Sequence, residues 1–241
     1  ANELRDEFDR CMSMLRNTNG ALGQIARAQR RSRGDDPDPD EEEGGTTKRD
    51  VLNRLFSLTG RAKVPLVVAM LWRWLSDPTN GKICVFAHHI DVLDDIVEGA
   101  GLSNDPSDDD DGGGDDDGGG RYIRIDGRTS PKDRQAGIER FQTDPTVRVA
   151  VLGVTAASVA VTLTAASTVL FAELFWTPAI MLQAEDRCHR IGQQAPVRCL
   201  YLIARGTLDE VLWGLMEKKY RDLGEFVEGR ENSDIAVQVK G

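Results

Sequence analysis

Three polar residues in the C-terminal third of the chain have the spacing of a single helix face. Arg187 and Arg190 lie three residues apart, and Gln183 precedes Arg187 by four residues, so all three side chains leave one side of a helix. Arginine is permanently charged, and its planar fork of donors fits phosphate oxygens. Two such groups can clamp a transferring phosphoryl group. For an isolated pair of arginines, a solvated face paired with neighbouring carboxylates is the alternative.

Short apolar runs that alternate with helical patterns must position these residues. Nearly all-apolar runs are typical of strands buried on both faces, and helices between them imply a parallel sheet. Strands are predicted at Lys82–Ala87, Tyr122–Ile125, Val147–Val154, Val169–Leu174 and Val197–Ala204. Helices are predicted at Val51–Leu58, Lys63–Leu75, Ile90–Glu98, 131–141, 179–190 and Thr207–Phe226, with Ser130 as the N-cap of the fourth. The sequence therefore predicts an α/β fold with a parallel β-sheet covered by helices on both faces.

Composition limits the class of protein. The 241 residues are 40% apolar, enough for one generous domain. The longest apolar runs are too short to span a bilayer, and no signal peptide pattern is present, so no membrane partner is expected. The four cysteines lack CxxC spacing, which favours a reducing compartment and argues against a zinc site. We therefore expect no protein-bound metal in this chain.

The net charge of −10 comes from two low-complexity tracts. Residues 35–43 carry seven acidic groups and residues 105–117 carry eight, whereas the rest of the chain has 25 acidic against 30 basic residues. Tracts of this composition cannot bury enough apolar surface to offset chain entropy, and we expect them to be disordered. The folded body is therefore mildly basic, which suits a polyanion such as nucleic acid.

The chain divides into three parts on these criteria. An extra N-terminal helical segment is predicted because apolar positions recur with helical spacing over residues 2–30. It begins without a cap or a preceding strand, which indicates a fragment of a longer protein. We expect residues 1–60 to form this segment with an acidic disordered linker at about 31–48. Residues 61–206 would form a lobe with a disordered Asp/Gly insert at 105–120, and residues 207–241 a helix and tail.

Four stretches in this order resemble one protein family: KICVFAHH, IRIDGRTS, VLGVTAASVAVTLTAASTVLFAELFWTP and QAEDRCHRIGQ. Together they are similar to the second RecA-like lobe of SWI/SNF-type ATPases in helicase superfamily two. The residues of the stretches AELFWTP and QAEDRCHRIGQ most resemble those of the HARP-like annealing-helicase branch. A DEAD-box-type RNA helicase lobe is the runner-up, but Gln193 and Gln194 stand where that class usually has further arginines. The resemblance implies that residues 1–60 are the remnant of an inter-lobe region and that the last helix is brace-like.

The resemblance also implies a nucleotide site shared between two lobes. ATP with Mg²⁺ would be held mainly by the first lobe, and this lobe would supply arginine fingers in cis. Arg187 and Arg190 would be those fingers, Gln183 would order the catalytic water or the fingers, and Ala160 would lie at the nucleotide. The chain contains no GxxxxGK[ST] motif and no DExH-type box, so we expect it to be inactive without the first lobe.

Segments that follow the strands are implied to contact the DNA backbone. The implied residues are His88, His89, Gly127, Arg128, Thr129, Thr155 and Ala156. Contacts to phosphate would be independent of base sequence and sensitive to salt. The implied partners are the first RecA-like lobe of the same polypeptide, double-stranded or forked DNA, and chromatin or single-strand-binding proteins. The implied location is nuclear.

Two functions remain open from the sequence, and a scaffold that uses the acidic tracts to bind histones is compatible with either of them. The first is the second motor lobe of an ATP-dependent DNA translocase or annealing helicase. The second is a catalytically decayed nucleic-acid- or chromatin-binding module, which Ala160 favours because the family usually has glycine there. Structural roles are the alternative for single features: a helix cap for either histidine, a packing turn for residues 153–163, and core positions for Phe175 and Trp176 instead of a base-stacking platform.

Overall fold

The computed structural model describes residues 6, 9–10, 48–104, 121–155, 163–188 and 196–228. The helices are α1 (Lys48–Leu75), α2 (Ile90–Gly99), α3 (Pro131–Thr143), α4 (Pro178–Cys188) and α5 (Leu208–Glu228). The strands are β1 (Lys82–Ala87), β2 (Arg121–Ile125), β3 (Val147–Gly153), β4 (Ala166–Phe171) and β5 (Arg198–Tyr201). The predicted helix over residues 2–30 lies outside the described residues apart from positions 6, 9 and 10, and both acidic tracts lie outside them entirely.

The described strands form one parallel sheet in the order β2-β3-β1-β4-β5. Successive residues of a strand point to opposite faces, and here both faces are apolar. In β1, Cys84 and Phe86 join one core cluster, whereas Ile83 and Val85 join the other. A strand buried on both faces has no polar alternation, which is why these segments read as continuous apolar runs. The predicted α/β fold with a parallel sheet is confirmed.

Helices cover each face of the sheet. On the first face, α3, α4 and α5 contribute Phe141, Met181 and Leu212 to the core. On the second face, α2 and the C-terminal half of α1 contribute Ile96 and Leu71. The N-terminal half of α1 belongs to the first core cluster, so this helix passes from one face to the other at the edge of the sheet.

The capping signal at α3 is confirmed in detail. The Ser130 hydroxyl accepts a hydrogen bond from the Asp133 backbone N–H at 3.2 Å and donates one to the Asp133 carboxylate at 2.7 Å. Pro131 occupies the first helical position, where its missing N–H costs nothing. The helix therefore begins at the residue that the sequence indicates.

One helix stands where two were predicted, because α1 is continuous across Gly60 and Pro65. Both residues usually signal a break. Packing requires glycine at position 60, because a Cβ there would lie 2.7 Å from the carboxyl carbon of Glu173. The expected boundary between residues 60 and 61 falls inside this helix. By length and composition α1 is apolar enough to cross a membrane, but half of its most apolar window is buried inside the protein.

Two strands, β4 and β5, differ from their predicted bounds by more than one residue. β4 begins three residues earlier than predicted, at Ala166, and ends at Phe171. The apolar residues Ala172 and Leu174, which suggested a longer strand, are buried as part of the connection at the end of β4. β5 is limited to Arg198–Tyr201. Burial of a loop produces the same apolar run as burial of a strand, so composition could not separate them.

A buried ion pair joins α1 to the start of α5. The Lys63 ammonium lies 2.8 Å from the Asp209 carboxylate, and the two side chains are 5% and 1% exposed. The ammonium also donates to the Leu202 carbonyl at 3.1 Å, and Asp209 accepts from the Ala204 backbone N–H at 2.9 Å. A buried charge is tolerated only when it is paired and hydrogen-bonded, so this arrangement fixes α5 against α1 and the end of β5.

Replacing Gly60 with alanine should destabilise the fold, although alanine is the better helix former. We expect a loss of about 1–3 kcal/mol, because the new methyl group must displace a buried side chain. Gly137→Ala in α3 is the matched control: its Cβ would lie 3.8 Å from Ile123, so it should gain up to about 1 kcal/mol. Urea unfolding midpoints measure both, and equal stabilisation by the two substitutions would contradict the packing argument.

Candidate functional site

The candidate site lies along the carboxyl edge of the sheet. Because the described strands are all parallel, the segments after β2, β3, β1 and β4 emerge side by side. These segments begin with Asp126, Val154, His88 and Ala172. The backbone pairing continues past the strands, since Val154 N–H donates to Ala87 and Ala172 N–H donates to Phe86, both at 2.9 Å. The edge where ligands bind in open α/β sheets is therefore rigidly built here.

A buried carboxylate, that of Glu173, holds the segment after β1. One of its oxygens accepts hydrogen bonds from the backbone N–H groups of His88 and His89, at 2.7 and 2.9 Å. The other oxygen lies 2.7 Å from Nδ1 of His89. The Glu173 side chain is 1% exposed. Both backbone N–H groups that a phosphate would need at this point are therefore already occupied by a residue of the chain.

The two histidines have different surroundings. His88 stacks on Phe56 with ring centroids 5.3 Å apart and contacts Phe175 at 4.9 Å. Burial, followed by the neighbouring His89, lowers the pKa of His88 despite the opposing effect of Glu173. His88 is thus an uncharged aromatic packing residue at neutral pH, whereas the His89 ring is tied to Glu173.

The aromatic pair before α4 has a packing role. Phe175 contacts His88, and Trp176 meets Phe56 edge-on with centroids 5.4 Å apart. Both are partly buried against the first core cluster, which agrees with the core alternative for these residues. Trp213 of α5, which lies off the main apolar stripe of that helix, packs against Tyr201 of β5.

The turn after β2 is organised by Asp126. Its backbone N–H donates to the Thr129 hydroxyl at 2.9 Å, and its carboxylate accepts from the Arg128 backbone N–H at 2.8 Å. Gly127 is exposed, and a Cβ there would meet nothing within 4 Å. The turn thus presents open backbone at Gly127, while the Thr129 hydroxyl oxygen is already an acceptor within the loop.

Arg128 is ion-paired within the chain. Its guanidinium lies 3.0 Å from the Asp94 carboxylate of α2 and 3.1 Å from that of Asp126. Arg124 pairs with the same two carboxylates, at 2.6 and 2.8 Å. The side chain of Arg128 remains 55% exposed, so an incoming phosphate would compete with Asp94 and Asp126 for it.

Hydrogen bonding keeps both acidic partners of this network charged. Burial alone would raise the pKa of Asp126, but hydrogen bonds from the Arg128 backbone and from both guanidinium groups outweigh it and lower the pKa. Burial likewise acts to raise the pKa of Asp94, and its bonds to Arg128 and Arg124 lower it overall. The network therefore contains two cations and two anions at neutral pH.

The segment after β3 is described only in part. Thr155 is exposed two residues beyond the end of β3. Ala156 and Ala160, which the sequence assigned to DNA and nucleotide, lie outside the described residues. The description resumes at Leu163, whose N–H donates to the Arg187 carbonyl at 2.9 Å. The segment after β3 is thereby connected to the arginine helix.

The arginine helix is α4, and it carries two of the three predicted catalytic residues. Gln183 is exposed and Arg187 is half-buried, four residues further along the helix. Arg190 lies outside the described residues. Tyr201 of β5 donates its hydroxyl to Glu185, so this carboxylate orients a neighbour as part of the packing. In the part of the chain that the structure describes, no group of three or more His, Cys, Asp or Glu side chains is arranged to hold a metal ion.

Sequence reasoning missed Glu173 and Asp94 as site residues. A signal for Glu173 exists, since it is the one charged residue within the apolar run Val169–Phe175. A charge in such a run must be paired when it is buried. Asp94 has no comparable signal, because its importance comes from the crossover that brings α2 beside the turn after β2.

Comparisons with known proteins agree with this architecture. The family model described as "Helicase conserved C-terminal domain" matches residues 63–192. The "SWI/SNF-related matrix-associated actin-dependent regulator of chromatin subfamily A-like protein 1" of Xenopus tropicalis is 39% identical over 194 residues, which cover 78% of this chain and 19% of that protein. The human "DNA annealing helicase and endonuclease ZRANB3" is 40% identical over 181 residues, covering 75% and 15% of the two chains.

A solved structure gives the same result for the fold. The crystal structure of the C-terminal part of the Fun30 ATPase domain aligns with a TM-score of 0.53 and 25% identity, over 64% of this chain and 45% of that one. The chain spans less than a fifth of the length of the two relatives named above. Because the family model covers more than half of it, the chain belongs to the helicase conserved C-terminal domain family, as the C-terminal RecA-like lobe of a SWI/SNF-type ATPase.

Proposed function

We propose that this chain is the second motor lobe of an ATP-dependent DNA translocase or annealing helicase. The observation that supports it best is the set of turns after β2, β3 and β1, which emerge side by side at the carboxyl edge of the sheet. A nucleic-acid strand can be engaged along these turns. Helix α4 carries Gln183 and Arg187 as donors for a nucleotide, and the Arg187 carbonyl accepts a hydrogen bond from the Leu163 N–H, in the segment between β3 and β4.

The donors of α4 suit the polyphosphate of ATP. Guanidinium groups fit phosphate oxygens bidentately, and the Arg187 and Gln183 side chains have exposed surface from which to reach them. Arg187 and Arg190 would stabilise the charge of the transferring phosphoryl group, and Gln183 would orient the attacking water or the fingers. Mg²⁺ would neutralise the phosphate charge from the first lobe. Ala160 would contribute a backbone approach to the nucleotide.

The DNA contacts would be made to phosphates. His89, Gly127, Arg128, Thr129 and Thr155 follow three adjacent strands, so a strand of nucleic acid can run along them. Such contacts carry no base specificity and weaken with salt. The packing of His88 supports a smaller role for this residue than for His89, and Ala156 would act through its backbone.

The wider biology follows from the relatives' names and remains part of the proposal. One relative is named a DNA annealing helicase and another a chromatin regulator. We infer double-stranded or forked DNA as the substrate, the first RecA-like lobe of the same polypeptide as the obligate partner, and chromatin or single-strand-binding proteins as further partners. The site of action would be the nucleus, in replication-fork repair or chromatin remodelling.

A catalytically decayed binding module is the second candidate. It is favoured by Ala160 at a position where glycine is usual in the family. The two candidates differ in one measurable respect, which is ATP turnover in the full-length protein.

Arg190→Ala in the full-length protein should abolish DNA-stimulated ATP hydrolysis while leaving DNA affinity nearly intact. Loss of an arginine finger costs roughly 10³-fold or more in rate in related phosphoryl transfers. Arg73→Ala, which removes an exposed arginine of α1, is the control and should retain full turnover. Steady-state ATPase assays with saturating DNA make the comparison. Unchanged turnover in Arg190→Ala would remove the finger assignment, and absence of turnover in the unmodified protein would favour the binding module.

The isolated 241-residue chain should show no ATP hydrolysis. Its arginine donors have no phosphate-binding loop opposite them, since the sequence contains no GxxxxGK[ST] motif. Adding the separately produced first lobe should restore measurable DNA-stimulated turnover. Hydrolysis by the pure chain alone would refute the shared-site proposal.

Asp94→Asn should strengthen DNA binding, because it releases Arg128 from one of its two carboxylates. We expect the dependence of log Kd on log salt to steepen by about one unit, as for one additional phosphate contact. Glu98→Gln removes the same charge from the same helix and is the matched control. Fluorescence anisotropy across a salt series measures both. Identical effects from the two substitutions would show a general charge effect and contradict competition at Arg128.

A further inference from the structure

We propose that Glu173 is a positioning residue that fixes the His89 imidazole with its proton on Nδ1, so that Nε2 can bind a nucleic-acid phosphate only when the ring is doubly protonated. The inference deepens the proposed function and rests on it for the nature of the ligand. The orientation of the ring, in contrast, follows from contacts within the chain and can be tested without any ligand.

The protonation state of the ring follows from the donor and acceptor inventory. A carboxylate can only accept hydrogen bonds. Glu173 accepts two from backbone N–H groups, and the direction of these bonds is fixed because a backbone N–H can only donate. The remaining oxygen faces Nδ1 of His89 at 2.7 Å, so Nδ1 must be the donor. In the neutral ring the proton is then on Nδ1, and Nε2 is an acceptor.

The packing prevents the ring from turning to another orientation. Phe56 meets the His89 ring edge-on with centroids 4.8 Å apart, and the His88 ring lies 4.7 Å away on its own segment. The carboxylate itself occupies space that exists only because residue 60 has no side chain. The His89 side chain is 22% exposed, which leaves Nε2 as the nitrogen to meet an outside partner.

This orientation has a chemical consequence for phosphate binding. A lone pair on Nε2 repels a phosphate oxygen, whereas the imidazolium places a donor and a positive charge at the same position. The titratable groups near the His89 ring are Glu173, which follows β4, and His88, which follows β1, whereas Phe56 of α1 is uncharged. His89 precedes α2, and the first turn of that helix carries the acidic residue Asp91. Protonation of the ring thereby becomes the condition for this contact.

The ring state can be read directly by NMR. The sequence contains three histidines, so a chain labelled with ¹⁵N only in histidine gives at most three imidazole patterns, and His89→Asn assigns one of them. In the neutral ring we expect His89 to show a protonated Nδ1 and an unprotonated Nε2. In Glu173→Gln the amide oxygen keeps the two backbone bonds and the amide nitrogen faces Nδ1, so the proton should move to Nε2. A dominant Nε2–H form in the unmodified chain would overturn the proposal, whether or not the variant folds.

The functional readout is the DNA concentration for half-maximal ATPase in the full-length protein. Glu173→Gln presents a neutral Nε2–H donor to the phosphate, so this concentration should fall by roughly three- to tenfold at a pH where the NMR pattern of the unmodified protein shows the neutral ring. Glu98→Gln should behave as the unmodified protein.

The outcomes separate the two proposals. An equal DNA concentration for half-maximal ATPase in Glu173→Gln and the unmodified protein under these conditions would overturn the positioning role. If the NMR result holds but DNA does not stimulate turnover at any pH, the proposed function fails, and so does the phosphate contact built on it, while the ring orientation stands.

Discussion

A buried carboxylate at the end of β4 is the interaction on which the carboxyl edge depends. Glu173 connects the segment after β1 to β4 and requires a glycine in α1, so three separate parts of the chain meet at one charged group. Removing a carboxylate from water is expensive unless every lone pair is satisfied. Here the compensation comes from two backbone amides and one imidazole. The geometry of the edge is therefore specified by electrostatics, whereas the sheet behind it is specified by apolar burial.

At the same edge, the positive charge of the arginines is balanced within the chain. Arg124 and Arg128 share Asp94 and Asp126. Cations aligned without partners would repel one another and bind phosphate indiscriminately. Paired cations hold a defined position and yield to a ligand only when it supplies a better acceptor.

Much of the architecture could be predicted from the sequence, because buried strands and buried helix faces have recognisable patterns of apolar residues. The β1 bounds, the Ser130 cap and the two-faced sheet all follow from local composition. The continuity of α1 could not be predicted, because Gly60 is explained by a side chain more than a hundred residues away. For the site, the family motifs pointed to the segments after β1, β2 and β3, but they did not indicate that Arg128 is paired or that the His88 and His89 amides are occupied. These facts depend on crossovers that place Asp94 and Glu173 beside residues distant in sequence.

The Lys63–Asp209 pair has a mechanical consequence for any movement of the lobe. Pulling the first turn of α5 away would leave an ammonium and a carboxylate stranded in a dry interior, at a cost of about 3–5 kcal/mol. The free energy therefore rises more steeply when the Lys63–Asp209 pair is separated by a small distance than when one apolar surface slides over another. The first turn of α5 therefore moves as one body with α1 and the end of β5.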